Sequence, residues 1–353
     1  MKKFNPYQYL VKLSFSIFLI WSFSIMTVHA EPETLGEYPV CEPSAVVKVT
    51  CSEKKGNCLL VGDNEQNKSL FLYSFSSNAL ESSVQSELAL DKKVSDIEAI
   101  AKLENNKVLV FGSHSRNSTC KIKDKRRRFL QAELSANQLQ PIGTVVKYPE
   151  KDVKLQSKIL FDGLDTSNNK ILNAVSKAID QAEEKADQAI DDKTACEDAN
   201  AFNAEGAVTI PDNSSFKTWI GLRSPLVSLD AKNYAVLLQM ANLDSYQFNA
   251  AALIDLDGKG IRELTFDNNS IWGIAGGPKD GEDNFVLWKL PSESVKPNAI
   301  LKPEIVRELP LSSEGLAIIK DTAYVVIDGD TPKDESITKC KTSGQFIQFT
   351  LPD

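Results

Sequence analysis

Three glutamates in this chain recur in matching surroundings. Glu98 in Asp96-Ile-Glu98-Ala-Ile-Ala101, Glu205 in Asn203-Ala-Glu205-Gly-Ala-Val208 and Glu314 in Ser313-Glu314-Gly-Leu-Ala-Ile318 each precede a small residue and an aliphatic run. A turn and a second β-run follow each one, ending in Gly112-Ser-His-Ser115, Gly221-Leu-Arg-Ser224 and Asp328-Gly-Asp330. If the repeated units converge, their carboxylates crowd one opening and repel one another. A bound hard cation, pairing with arginine, or protonation would relieve that cost. Calcium is the expected ion, because it takes carboxylate and carbonyl oxygens, whereas zinc wants more nitrogen or sulfur than this chain offers.

The expected metal ligands are therefore Glu98, Glu205 and Glu314. His114, Arg116 and Arg223 are the expected catalytic groups, moving a proton or holding an anionic portion of the substrate, and Ser224, Asp63 and Asp328 are expected substrate contacts. In the competing reading each glutamate only caps its own β-unit, accepting backbone N–H bonds or pairing with Arg223, Arg262 or Arg116.

The elements that must position these groups are short β-runs. Val46–Val49, Leu59–Val61 and Leu70–Phe75 form one set, and four further sets follow, separated by Gly-, Asn- and Asp-rich turns. Sets of about four short strands repeating every ~40 to 60 residues are the sequence form of propeller blades. The expected fold is all-β, a β-propeller of five to seven blades, about six, filling residues 31–353 as a single domain. In such a fold the start of each innermost strand and the end of its second strand meet at one mouth of the central channel.

One insertion, residues 153–198, interrupts the β pattern. Between Asn168 and Asp191 the apolar residues Ile171, Leu172, Val175, Ala178, Ile179, Ala182 and Ala186 fall three and four apart, the stripe of one helix packed on the propeller. Six cysteines accompany the fold. Cys51 and Cys58 flank a hairpin turn, Cys41 and Cys340 lie near the ends that a ring would join, and Cys120 and Cys196 would clamp the base of the insertion. There is no C-x-x-C pair, and His114 is the only histidine after residue 30, so disulfides are expected rather than zinc.

Residues 1–30 read as a secretory leader: Lys2, Lys3 and Lys12 precede or flank the apolar stretch Leu13–Val28, and Val28-His29-Ala30 offers a small-x-small cleavage site. Its removal takes three lysines and no acids, moving the formal charge from −8 to −11. So acidic a body is a poor partner for nucleic acid or anionic membrane. The run Lys121-Ile-Lys-Asp-Lys-Arg-Arg-Arg128 is the local exception, expected to be a solvated loop because no aromatic is interleaved with it. A monomer in the periplasm or released from the cell, binding a small-molecule or protein ligand, is the expectation.

The phrases Ile-Glu98-Ala-Ile-Ala, Gly112-Ser-His-Ser115, Ala-Glu205-Gly-Ala-Val, Gly221-Leu-Arg-Ser-Pro225, Leu256-Asp-Gly-Lys-Gly-Ile-Arg-Glu-Leu264, Ile274-Ala-Gly-Gly-Pro278 and Ser313-Glu-Gly-Leu-Ala317 resemble those of the bacterial domain of unknown function 3616. That family is similar to the esterase-like and phytase-like β-propellers. The resemblance covers roughly Cys58 to Asp330 without the insertion, and Ala99 stands where glycine is usual. It implies a propeller and leaves the reaction open. There is no G-x-S-x-G elbow, Walker loop or H-E-x-x-H motif. Two functions remain: a calcium-assisted hydrolase of esters or phosphoesters at the channel mouth, or a propeller that binds a ligand without turnover.

Overall fold

The computed structural model describes residues 31–36, 40, 42–51, 56–64, 66, 68–76, 79–81, 83–90, 94–136, 138–212, 215–279, 281, 284–329 and 343–352. The leader, Cys41, Cys340 and Asp330 lie outside the described residues, and so does the expected Cys41–Cys340 pairing.

Alternating short strands with Asn-, Asp- and Gly-bearing turns build five sheets of four or five strands, the blades of a five-bladed propeller, antiparallel except where Ile300–Leu301 joins blade III parallel to Phe248–Ile254. The innermost strands are Pro43–Thr50 of blade I, Ile97–Lys102 of blade II, Asn203–Asp212 of blade III, Gly260–Asp267 of blade IV and Ser313–Ile319 of blade V. Each heads its sheet and packs against the innermost strands of the blades on either side, so the five close a ring. Blade V takes its outermost strand from the other end of the chain: Glu33–Thr34 pairs with Gln345–Thr350. Sequence reading centred on about six blades within its range of five to seven, and the fold has five.

The core lies between blades. Leu60, Leu72, Ile97, Ile100 and Val110 pack between blades I and II, and Trp219, Leu237, Ile261 and Trp288 between III and IV. Burying a single such side chain stabilises the fold by about 1.5–3 kcal/mol.

Among the described residues the insertion carries three α-helices rather than one: α1 Ser157–Leu160, α2 Lys170–Gln188 and α3 Lys193–Ala199. The Asn169 side chain accepts from the N–H groups of Ile171 and Leu172 and so caps α2. The predicted stripe, with Ile171, Leu172, Val175 and Ile179, is buried against blade III beside Leu238 and Phe248. Disulfides join Cys51 to Cys58 across the blade I hairpin and Cys120 to Cys196 at the foot of α3, as the spacing predicted. Among the described residues no helix is long and apolar enough to cross a membrane.

Candidate functional site

All five inner strands open with the same irregularity. In each, the ladder to the second strand skips one residue: Ser44 between Pro43 and Ala45, Glu98 between Ile97 and Ala99, Glu205 between Ala204 and Gly206, Arg262 between Ile261 and Glu263, and Glu314 between Ser313 and Gly315. A bulged residue has no cross-strand partner, and the local bend re-aims its side chain. All five line one cavity of about 590 Å³ at a mouth of the channel. The repeated small residue after each glutamate also gains a reason. A Cβ on Gly206 would stand 2.8 Å from Leu264 of the next blade, and one on Gly315 would stand 2.9 Å from the backbone nitrogen of Val46.

The ring is neutralised mainly by arginine. The Arg262 guanidinium sits between two acids, with Nη1 2.9 Å from Glu314 Oε1 and 3.4 Å from Glu205 Oε2, while Nη2 donates to the Gly277 carbonyl at 2.8 Å. Glu205 Oε1 accepts from Arg223 Nη1 at 3.1 Å and from Asn203 Nδ2 at 2.7 Å. Asp96 pairs with Arg126 at 3.0 Å and accepts from the Ser113 and Ser115 hydroxyls. Ser44 donates to the Ile97 carbonyl at 2.5 Å and so ties blade I to blade II.

Glu98 is relieved differently. Loss of solvent, then the negative charges of Asp96, Glu205, Glu314 and Asp328, push its carboxyl well above the usual range and favour the neutral acid. Glu263, next to Arg262, is also driven upward, chiefly by burial. Its carboxyl accepts from Leu264 N–H at 2.7 Å and, reaching two blades away, from Val46 N–H. That reach ties blade IV to blade I.

The expected residues divide on inspection. Glu98, Glu205, Glu314, Arg116, Arg223, Ser224 and Asp328 all line the cavity. His114 does not. Its backbone is left-handed, φ 60°, and the ring turns inward onto Phe111 and Tyr246 at centroid distances of 4.3 and 4.6 Å. Nδ1–H donates to the Gly112 carbonyl at 2.6 Å, and burial holds the imidazole neutral, so it has no route to a substrate proton.

Asp63 is also away from the mouth. It is fully buried and accepts from the N–H groups of Glu42 and Gln66, stabilising a turn of blade I. Arg116 borders the cavity with its guanidinium already held by Glu183 at 2.9 Å, Asp187 at 2.6 Å and the Cys120 carbonyl at 3.0 Å, so it braces α2 instead of holding substrate. Ser224 donates to the Ala201 carbonyl at 2.6 Å.

Ser44, Asp96, Arg126 and Glu263 escaped sequence reading as site residues, whereas Arg262 was expected only as a partner for the glutamates, the pairing it makes with Glu205 and Glu314. The repeat itself held the missing signal, since Ser44 and Arg262 stand one and two residues into their strands, as Glu98 and Glu314 stand one and Glu205 two residues into theirs.

The calcium set does not fit this geometry. Arg262 fills the space between Glu205 and Glu314 that a shared cation would need, and among the described residues no group of three or more His, Cys, Asp or Glu side chains is arranged to hold a metal ion.

Residues around the insertion roof the pocket. Asn117, Ser118, Cys196, Glu197 and Asn200 to Phe202 line one side, and Pro278 and Lys279 face them. Lys279 reaches Asp198 at 2.6 Å.

No family model matches the chain, and no curated protein sequence matches it. Among solved structures it is similar to the PQQ-bound form of an aldose sugar dehydrogenase from Streptomyces coelicolor, at 12% identity and a TM-score of 0.41 over 91% of this chain and 97% of that one. A putative oxidoreductase (glucose dehydrogenase) from Thermus thermophilus has 10% identity and a TM-score of 0.41, over 91% of this chain and 100% of that one. A GH43_1 enzyme from Xanthomonas citri has 6% identity and a TM-score of 0.43, over 92% and 91%.

Proposed function

We propose that the protein is a hydrolase that cleaves an uncharged ester or glycosidic linkage at the mouth of its propeller, with Glu98 as proton donor and Glu205 as the base that activates water. The carrying observation is that equivalent positions of adjacent blades hold carboxyls in opposite environments. Glu98 is pushed toward the neutral acid, whereas Glu205 is ion-paired with two guanidinium groups. A carboxyl kept neutral beside one held in ion pairs is the usual acid and base assignment.

Glu205 Oε2 is buried, lies 3.4 Å from Arg262 Nη1 and accepts no hydrogen bond among the described residues, so a water drawn in with the substrate would find an acceptor there. In the step proposed, Oε2 takes one proton of that water, the water oxygen bonds the electrophilic carbon, the bond from that carbon to the leaving oxygen breaks, and Glu98 gives its proton to the leaving oxygen. Arg223 and Arg262 orient Glu205.

Charge supports an uncharged linkage over a phosphoester. Arg126, Arg223 and Arg262 are each paired with a carboxylate of the site, and Arg116 and Lys279 with carboxylates of the insertion. None is left over to neutralise a phosphoryl group. No step runs through calcium.

Membership in the domain of unknown function 3616 family, export to the periplasm or beyond, and action as a monomer complete this reading. Two disulfides fit an oxidising compartment. The test is a panel of aryl esters, lactones, aryl glycosides and aryl phosphates given to the protein lacking residues 1–30. Turnover of an uncharged substrate that Glu98→Gln abolishes supports the reading. Silence across the panel, with a small molecule retained at the mouth, supports the binding propeller instead.

A further inference from the structure

The basic run at 121–128 splits on folding. Lys121, Lys123 and Lys125 are exposed and Arg126 pairs with Asp96, but Arg127 turns inward and is only 3% exposed. Its Nη1 donates to the Val153 carbonyl at 2.5 Å, and its guanidinium carbon lies 3.9 Å from the centre of the Tyr148 ring. Nε and Nη2 have no hydrogen-bond partner, and among the described residues no carboxylate stands within ion-pair distance. Glu183 and Asp124 act on its charge only from beyond that distance, and a buried guanidinium with two unpartnered nitrogens is costly.

Two other buried polar atoms in the same cluster also lack partners: the Tyr246 hydroxyl and His114 Nε2. The His114 and Tyr246 rings are 4.6 Å apart, and those of Tyr148 and Tyr246 are 5.6 Å apart. The charge of Arg127 is close enough to bear on the ionisation of both His114 and Tyr246. The groups come from two blades. His114 and Arg127 lie between the second and third strands of blade II, and Tyr246 lies between Lys232–Met240 and Phe248–Ile254 of blade III. None of the three lines the main pocket, yet Phe202, which does, lies 6.4 Å from the His114 ring.

The donor pattern selects the occupant. Nε–H and Nη2–H of a guanidinium lie along one edge and form a fork for a single acceptor, and a tyrosine hydroxyl adds a third donor. No carboxylate pairs directly with Arg127, the charges of Glu183 and Asp124 reaching it only from farther off, and donors set among aromatic rings favour a compact anion. We propose that the interface of blades II and III, behind the pocket wall, binds a small monovalent anion of the halide class on the Nε/Nη2 edge of Arg127 and the Tyr246 hydroxyl. Because His114 Nδ1 donates to Gly112, Nε2 is an acceptor, and a water bonded to both would link it to the anion. This site is independent of the reaction proposed above.

The experiment compares chloride, bromide and gluconate salts at equal ionic strength, using the whole chain without residues 1–30. Thermal melting should rise saturably by several degrees with chloride or bromide and not with gluconate. Crystals soaked in bromide should show an anomalous peak beside Arg127 Nε and Nη2. Tyr246→Phe, which keeps the ring packing, should weaken the half-saturating halide concentration about tenfold. Arg127→Met should abolish the response, and Tyr246→Phe carries the test if that variant does not fold. Equal melting in all three salts, or bromide only at exposed lysines with water density at Arg127, would overturn the proposal.

Discussion

The two mouths of the channel are made by the same five strands and differ in almost everything else. Where the strands begin, five bulged residues and their arginine partners line the 590 Å³ cavity. Toward the other ends the ladders run without a skipped residue, and a cavity of about 380 Å³ is lined by Val47, Ile100, Val208, Leu264, Phe266 and Ile318, with Lys48, Lys102 and Asp267 at its edge. Regular pleating returns alternate side chains to the inter-blade core, whereas a bulge releases one residue per blade toward the axis. The charged mouth is therefore created by backbone irregularity as much as by residue choice.

The comparison breaks most sharply at Glu98. Glu98→Gln should lower kcat/KM for a substrate of the parent protein by about 10²–10⁴-fold while circular dichroism shows the fold intact. Undiminished turnover would make the two mouths catalytically equivalent. Next in size is Arg262→Met, which leaves Glu205 and Glu314 without the guanidinium between them. Urea melts should show a loss of about 3–5 kcal/mol, against less than about 1 kcal/mol for Lys48→Met, which breaks the more exposed pair with Asp267 at the far mouth. Similar losses for the two would erase the distinction.

A subtler difference lies in pH. Glu98 and Glu263 both have folded values raised above the ordinary 4.5, so each contributes stability that is fully present below that pH and lost as pH rises through the raised value. Glu263→Gln, isosteric with the neutral acid, should flatten the decline of stability above pH 4.5 by up to about 1.4 kcal/mol per pH unit, the slope of one proton. An unchanged slope in urea melts across that range would place the Glu263 proton elsewhere. Smallest of all is the effect of metal. Added calcium or chelator should move the melting temperature by less than about 1 °C, because Arg262 already stands between the two acids, and a saturable rise would restore the cation reading.

Much of this architecture was legible in the residues. Turn spacing marked the blades, the stripe from Ile171 to Ala186 marked α2, and Glu-Ala or Glu-Gly at the head of an aliphatic run marked three ring positions. Ser44 and the ring position of Arg262, which was named only as a partner for the glutamates, stayed hidden because a bulge is a property of register, and nothing in Pro-Ser-Ala or Ile-Arg-Glu announces a skipped pairing. His114 and Asp63 were misplaced for a related reason. Both close their second strands as expected, but a left-handed turn carries the histidine into the core, and the aspartate is held by the backbone N–H groups of Gln66 in its own turn and of Glu42 ahead of the neighbouring strand. The short helices α1 and α3, four and seven residues long, carry too little periodicity to be read.

The unpaired place at the head of each inner strand also separates two kinds of change. A residue there answers to its neighbours around the opening and not to a partner across the sheet. Five such places amount to a set of interchangeable slots on a fixed frame. A new specificity can then be assembled by altering the occupants and their counter-charges together, leaving the hydrogen-bonded walls as they were.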